Sequence, residues 1–298
     1  MSPTFPGVYF QQRLTRRNSI KVAVSALCLQ CLRADESTPA AADVPDPTRG
    51  IPLRPRQALT GSQFAQSVLN MDRQQREQAI LSELLEGNLP GFLRKLAPVK
   101  LSCELTNGKT LSATIFVMPE YLAIGSDSDF LRIPMNLHTA MAIADRFRFV
   151  LPTKKIVDAI YDQSACRFTP QPLPAGPQMT STEYYRMHNA MIDGQSQSRG
   201  FPFGALVAGH KKDVVLTNGL TTHPGQIAIY GWHRATGAPI QPLSTVHGAG
   251  YADYSHGIRL IAGMALIDGR LQSVQDILHD PVLAKVLSDE GAIHVASA

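Results

Sequence analysis

The sequence predicts an α+β fold: N-terminal helices and antiparallel hairpins, then a C-terminal, mostly antiparallel β subdomain with flanking helices. Three observations carry that prediction. Stretches of helical period and stretches of period two come in blocks, not in the strict alternation of a βαβ protein. Asn107-Gly108 and Asp268-Gly269 each divide two alternating runs, the arrangement of a tight hairpin turn. No strand-like run leads into G-x-G-x-x-G, a P-loop or G-x-S-x-G, so no nucleotide cofactor is expected.

In chain order, "TGSQFAQSVL" and "MDRQQREQAILSELLEG" carry helical periodicity, with Leu81, Leu84 and Leu85 on one stripe and Gly87 as a stop. "PGFLRKLAP" reads as a short helix. "VKLSCELTNGKTLSATIFVMP" is a hairpin about Asn107-Gly108, and "EYLAIGSDSDFLRIPM" a second one turning at Ser126 to Asp129. Asp127 and Asp129 are the acids of that turn, which suits a solvated turn or two calcium ligands. "NLHTAMAIADRFRFVLP" and "TKKIVDAIYDQSACR" are helices, the second opened by Thr153. "FTPQPLPAGPQ" is a proline-rich crossing that can enter neither a helix nor a central strand. "STEYYRMHNAMI" is a helix capped by Ser181. "GALVAGH", "KDVVLT", "QIAIYGWH" and "IQPLSTV" are strand-like, with turns at Asn218-Gly219, Pro224-Gly225 and Thr236-Gly237. "SHGIRLIAG" and "MALIDGRLQ" form a last strand pair, and Ser273 caps a terminal helix, "SVQDILHDPVLAKVL".

Composition narrows the function classes. The 298 residues are 44% hydrophobic and 17% charged, with a net charge of +4, which suits a chain with a real core. Part of the basic excess lies in "RLTRRNSIK", and no basic cluster interleaved with aromatics follows it, so a nucleic-acid partner is not expected. No apolar run reaches the ~20 residues of a settled membrane span.

The N-terminus reads as an address. "TRRNSIK", Thr15 to Lys21, resembles the twin-arginine export signal, with Ser19 as a polar departure at a mostly apolar position. "VAVSALCLQCL" follows as a short apolar segment, and "RADESTPAAA" offers cleavage positions near Ala34 or Ala42. The resemblance implies passage out of the cytoplasm, to the periplasm or the medium. The chain then divides into a signal over 1–42, a Pro/Ala/Asp-rich linker over 43–59, a helical and hairpin subdomain over 60–170, and a histidine-rich subdomain over 171–298. Cys28 and Cys31 would leave with the signal. Cys103 and Cys166 would remain, either to pair in an oxidising compartment or to sit as two small buried residues.

Chemistry is expected in the second subdomain. Of nine histidines, six fall between His188 and His256, and histidine is the commonest metal ligand and neutral-pH base. "AGHKKDVVLTNG" sets His210, Lys211, Lys212 and Asp213 at the head of an apolar strand. It misses the phospholipase-type pattern H-x-K-x-x-x-x-D, because Thr217 stands at the acidic position. "IAIYGWHR" ends a strand on Trp232, the chain's one tryptophan, beside His233; an indole there offers a floor for a substrate or a core side chain. "HGAGYADYSHGIRL", residues 247–260, is the densest run. Period two from Asp253 puts Tyr254, His256, Ile258 and Leu260 on a core face, and Asp253, Ser255, Gly257 and Arg259 on the outer one. Asp253 is then the natural base or ligand, Arg259 a fork for a carboxylate or phosphate, and His247 a partner folding back on a glycine-loosened loop.

Two resemblances attach to this run. "HG" followed by "SHGIRL" is similar to the L,D-transpeptidase signature, in which HG precedes S-H-G-C by a longer interval; here Ile258 follows Gly257, and no thiolate is available to run that mechanism. "STVHGAGYAD", Ser244 to Asp253, is similar to the zinc D,D-peptidase pattern S-x-H-x-x-G-x-A-x-D. His247, Gly250 and Ala252 stand in register, while Ser244 and Asp253 are each displaced by one residue. That resemblance implies His247 and Asp253 as zinc ligands, and the family's further histidine, which follows a tryptophan, has its counterpart upstream, in Trp232-His233.

The expected function is an exported hydrolase acting on a cell-envelope or extracellular polymer. Asp253, His247 and Arg259 are its catalytic candidates, and Trp232 and Tyr251 its substrate contacts. His247, Asp253, His210 and His233 are candidate ligands for zinc or another divalent metal. The alternative is an exported non-catalytic binding or structural protein that presents Trp232, Tyr251 and Tyr254 as a contact surface. A cysteine enzyme built on Cys166 is a third possibility.

Overall fold

The computed structural model describes residues 46–294, so the twin-arginine-like segment and its cleavage positions lie outside the described residues. Two short helices come first, α1 (Gly61–Ser67) and α2 (Arg73–Leu85). Each opens with a capping box, Thr60 with Gln63 and Asp72 with Gln75, in which side chain and backbone satisfy each other's orphan groups. After α2, Gly87 takes φ 83°, a left-handed turn that costs glycine little. "GFLR" adopts a 3-10 turn over Gly91–Arg94.

The Asn107-Gly108 hairpin is formed by β1 (Ala97–Glu104) and β2 (Thr110–Val117), in register from Ala97 opposite Val117 to Glu104 opposite Thr110. The second hairpin joins β3 (Ala123–Gly125) and β4 (Phe130–Arg132). Asp127 and Asp129 each spend Oδ1 at the start of a helical turn, on the Phe92 and Ser62 amides respectively. Then come α3 (Leu137–Phe147), β5 (Phe149–Val150), α4 (Lys154–Gln163), β6 (Cys166–Arg167) and α5 (Thr182–Arg199). Thr153 and Ser181 cap α4 and α5, as their positions predict.

The remaining strands are β7 (Val207–Ala208), β8 (Lys212–Val214), β9 (Ile229–His233), β10 (Pro239–Ser244), β11 (His256–Gly257), β12 (Ile261–Ala262), β13 (Met264–Ile267) and β14 (Arg270–Ser273). A one-turn helix, α6 (Gly219–Thr222), separates β8 from β9, and α7 (Val274–His279) follows β14. The expected terminal helix breaks at Asp280-Pro281 and resumes as a 3-10 turn over Leu283–Val286, because proline cannot continue the ladder.

A six-stranded sheet runs β14-β13-β2-β12-β5, with β1 on the other edge of β2; a four-stranded sheet runs β10-β9-β8-β11. Most pairings are antiparallel, but β11 lies parallel to β8 and β6 parallel to β7. The architecture is α+β. Among the described residues, no helix is long and apolar enough to cross a membrane.

Three expectations are corrected. Residues 46–59 are not a loose linker. Ile51 is buried, and the Arg54 guanidinium bonds Asn88 and the carbonyls of Gly125, Ala58 and Leu59. No boundary falls at 170, since the six-stranded sheet interleaves β1, β2 and β5 with β12, β13 and β14, and one hydrophobic cluster runs from Ile51 to Ala262. "SHGIRLIAG" is not one strand. β11 belongs to the four-stranded sheet and β12 to the six-stranded one, so Ile258 to Leu260 cross between sheets. The expected outer face therefore does not exist: every residue from Ala252 to Ala262 is buried.

Candidate functional site

The site is built where β8, β11 and the loop before β11 meet. His256 pairs with Lys212, and Cα partners share a sheet face, so these two side chains stand side by side. Backbone bonds fix the approach of the loop: Ile227 N–H donates to His247 O at 3.0 Å, Ala249 N–H to Gly225 O at 2.7 Å, and Leu137 N–H to Ala249 O at 3.0 Å. Tyr254 N–H donates to Met179 O, tying the same segment to the turn before α5.

Within this frame His247, Tyr251, Asp253 and His256 converge. The half-buried His247 ring stacks on Tyr251, with centroids 4.3 Å apart and planes 18° from parallel. The Tyr251 hydroxyl donates to Asp253 Oδ2 at 3.1 Å, while Ser255 donates its amide and hydroxyl to Oδ1 at 2.8 and 2.6 Å. His256 Nε2 lies 3.9 Å from Asp253 Oδ2, and the His247 and His256 rings are 6.3 Å apart. His256 is fully buried, yet neither ring nitrogen has a hydrogen-bond partner among the described residues. Buried polar atoms are nearly always paired, so an orphaned imidazole beside a carboxylate calls for an explanation.

The electrostatics set the protonation states. Burial pushes the His256 imidazole down to about 4, against the opposing pull of Asp253, so the ring is neutral near pH 7. Burial opposes ionisation of Asp253, but His256, the two Ser255 donors and Lys212 together hold its carboxyl below the usual range. Burial and the Asp253 charge lift the Tyr251 phenol to about 12, which keeps it a donor. Lys211, fully buried, is brought down to about 7 by desolvation and the Arg132 charge, and its Nζ donates to Tyr254 O at 2.5 Å. Burial also lowers Lys212, which is only partly buried.

Several expected site residues lie elsewhere. Arg259 is 0% exposed. Its Nη1 and Nη2 donate to Met118 O and Val207 O, each at 2.8 Å, and its guanidinium sits 4.4 Å over the Tyr121 ring, so it braces the crossing between the sheets and meets no cleft. His210 Nε2 bonds Glu120 Oε1 at 2.7 Å, and His233 Nε2 bonds Asp158 Oδ1 at 3.1 Å while stacking on Tyr161. The four expected metal ligands therefore do not gather: His247 and Asp253 share one cluster, and His210 and His233 have carboxylate partners of their own. Among the described residues, no three His, Cys, Asp or Glu side chains stand where they could hold one ion. Trp232, 4% exposed, is a core side chain and offers no open floor, though its Nε1 has no partner. Cys103 and Cys166 are free, and burial raises the Cys166 thiol, the opposite of an activated nucleophile.

Sequence reasoning missed a second buried polar network. Glu120 accepts from Arg132 Nε at 2.9 Å and pairs with His210, and Arg132 reaches Asp193 at 2.7 Å. Burial resists ionisation of Glu120, but His210 and Arg132 overcome it and keep the carboxyl far below its usual range. This network forms one wall of a cavity of about 640 Å³, which Phe92, Asp127, Asn189 and Phe203 also line. Glu120 and Arg132 stand in no pattern that would have marked them.

Comparison of the chain with known protein families, curated proteins and solved structures finds no match.

Proposed function

We propose that the chain is an exported hydrolase of a cell-envelope or extracellular polymer, with His256 as its general base. One observation carries the reading: a wholly buried, neutral imidazole, with both nitrogens unpartnered, 3.9 Å from an ionised carboxylate. Such a ring takes a proton from water or a hydroxyl, and Asp253 stabilises the imidazolium that forms. Asp253 is thereby a positioning residue, itself held by Ser255 and Tyr251. His247, partly exposed on the Tyr251 ring, is placed to meet the substrate. Base catalysis by His256 needs no third ligand, which favours it over a metal-held water given the separate engagements of His210 and His233. Export rests on the twin-arginine-like "TRRNSIK".

The test uses the chain recovered from the medium or periplasm, assayed on peptidoglycan, envelope polysaccharide and soluble esters and amides, with and without chelator. Product release from at least one substrate, unaffected by chelation and reduced ~100-fold or more in His256→Gln, is expected. No release from any substrate, or full activity in His256→Gln, overturns the proposal.

A further inference from the structure

The cavity beside the Glu120–Arg132 network opens to solvent and is separate from the His256 cluster, since none of His247, Tyr251, Asp253 or His256 lines it. Its volume, about 640 Å³, lies in the range of small-molecule sites. Three rings turn a corner along one side. Phe203 stands 4.8 Å from Phe92 with planes 72° apart, and Phe92 stands 5.2 Å from Phe130 at 63°. Phe203 is 63% exposed, yet a turn holds it in place. Ala205 N–H donates to Pro202 O at 3.2 Å, and Gly204 takes φ 74° at the position where a type II turn requires positive φ. The ring thus adds an apolar face to the cavity rim and buries little of itself in return.

The charges of the lining are unequal. Four carboxylates, Glu120, Asp127, Asp129 and Asp193, stand against two guanidiniums, Arg132 and Arg186. Both guanidiniums are already paired, Arg132 with Glu120 and Asp193, and Arg186 with Glu183 outside the lining. Asp127 and Asp129 have no ion-pair partner among the described residues. Asp127 Oδ1 accepts from the Phe92 amide and Asp129 Oδ1 from Ser62, while each Oδ2 is left without a hydrogen bond. The Phe92 amide, 3.1 Å from Asp127, fixes that carboxylate beside the aromatic corner. Carboxylates and ring faces both attract a cation, and a cleft with low-dielectric walls strengthens the attraction.

One donor in the cavity is unused. Arg132, 4% exposed, directs Nε to Glu120 and Nη1 to Asn189 and Asp193, and its Nη2 makes no hydrogen bond among the described residues. Unlike Arg76 Nε and Arg259 Nε, this nitrogen is not sealed in protein, so its N–H groups face the cavity. A further anion beside Arg132 would be repelled by Glu120 and Asp193, whereas a neutral carbonyl accepts from Nη2 without that cost.

We propose that this cavity binds an organic cation. Its ammonium lies among the carboxylates of Asp127, Asp129 and Asp193, its aromatic or apolar body against Phe92 and Phe203, and a neutral carbonyl on Arg132 Nη2. The site does not depend on the hydrolytic reading, and either can stand without the other.

Phenylalaninamide has these three parts and is the probe, followed by ligand-observed NMR on the purified chain. N-acetylphenylalaninamide keeps the ring and a carbonyl without the charge, and N-acetylphenylalanine reverses the charge. A ligand of this size should bind with a dissociation constant of ~1 mM or tighter, and each acetylated analogue about fivefold or more weakly. Added salt should weaken phenylalaninamide, as screening requires. Phe203→Ala removes an exposed ring, and Asp127→Asn can still accept from the Phe92 amide, so both variants should fold. Each should bind phenylalaninamide about fivefold more weakly, and His256→Gln should bind it unchanged. Equal or tighter binding of either acetylated analogue overturns the inference, as does full affinity in Phe203→Ala or Asp127→Asn. No binding of phenylalaninamide at ~10 mM overturns it as well. Loss of binding in His256→Gln would place the probe in the other cluster, with the same consequence.

Discussion

Replacing Arg259 with alanine separates a structural arginine from a catalytic one. The side chain is wholly buried where the backbone passes from the four-stranded sheet to the six-stranded one, and it donates to Met118 O, just after β2, and to Val207 O, in β7. Each charge-assisted bond contributes ~1.5–3 kcal/mol, and the cation over Tyr121 up to ~2. Desolvating the guanidinium offsets part of this, so a net loss of ~4 kcal/mol is expected, a large share of the ~5–15 kcal/mol typical of a folded protein. Urea unfolding followed by Trp232 fluorescence should show the midpoint falling by more than ~1 M. Arg259→Lys, which keeps the charge but cannot span both carbonyls, should fall between wild type and alanine. A loss below ~1 kcal/mol in Arg259→Ala would refute the bracing role and return Arg259 to the catalytic candidates.

Acid should weaken the fold before the carboxylates titrate. Burial holds His188, His210 and His256 below the ordinary imidazole value, so the unfolded chain binds more protons than the native one between about pH 6.5 and 4. Their stabilisation is complete above pH 6.5 and is lost as pH falls through that window; Asp213, raised to about 6 by burial, and Glu77, also raised by burial, work in the opposite sense but are two groups against three. Urea midpoints at pH 7.5, 5.5 and 4.5 should decline, on the order of 3 kcal/mol across the range, and a flat or rising series contradicts the assigned neutral histidines. At the N-terminus, Arg16→Lys with Arg17→Lys should leave the unprocessed chain in the cytoplasm, detected by fractionation; undiminished export of that variant removes the twin-arginine reading.

Much of the local structure was legible because it is decided locally. Asn107-Gly108 and Asp268-Gly269 turned where their backbone freedom predicts, and Thr153, Ser181 and Ser273 capped the helices they precede. His247, Tyr251 and Asp253 meet because they are close in sequence and glycines let the loop fold. The side-chain directions past Asp253 were not legible. Period two holds only while a segment stays in one sheet, and this one changes sheets after Gly257. That change buries Arg259 and takes it away from Asp253's cluster.

By itself, then, the sequence determined the α+β class, the hairpins and caps, and the short run that carries the candidate base, all of which depend on residues within a few positions of one another. Only the tertiary structure decided which histidines act together. His210 and His233 found Glu120 and Asp158, 90 and 75 residues away along the chain, whereas His256 was left with Asp253 and no hydrogen bond. Partners at that separation are selected by packing, and a histidine's chemistry follows from its partner.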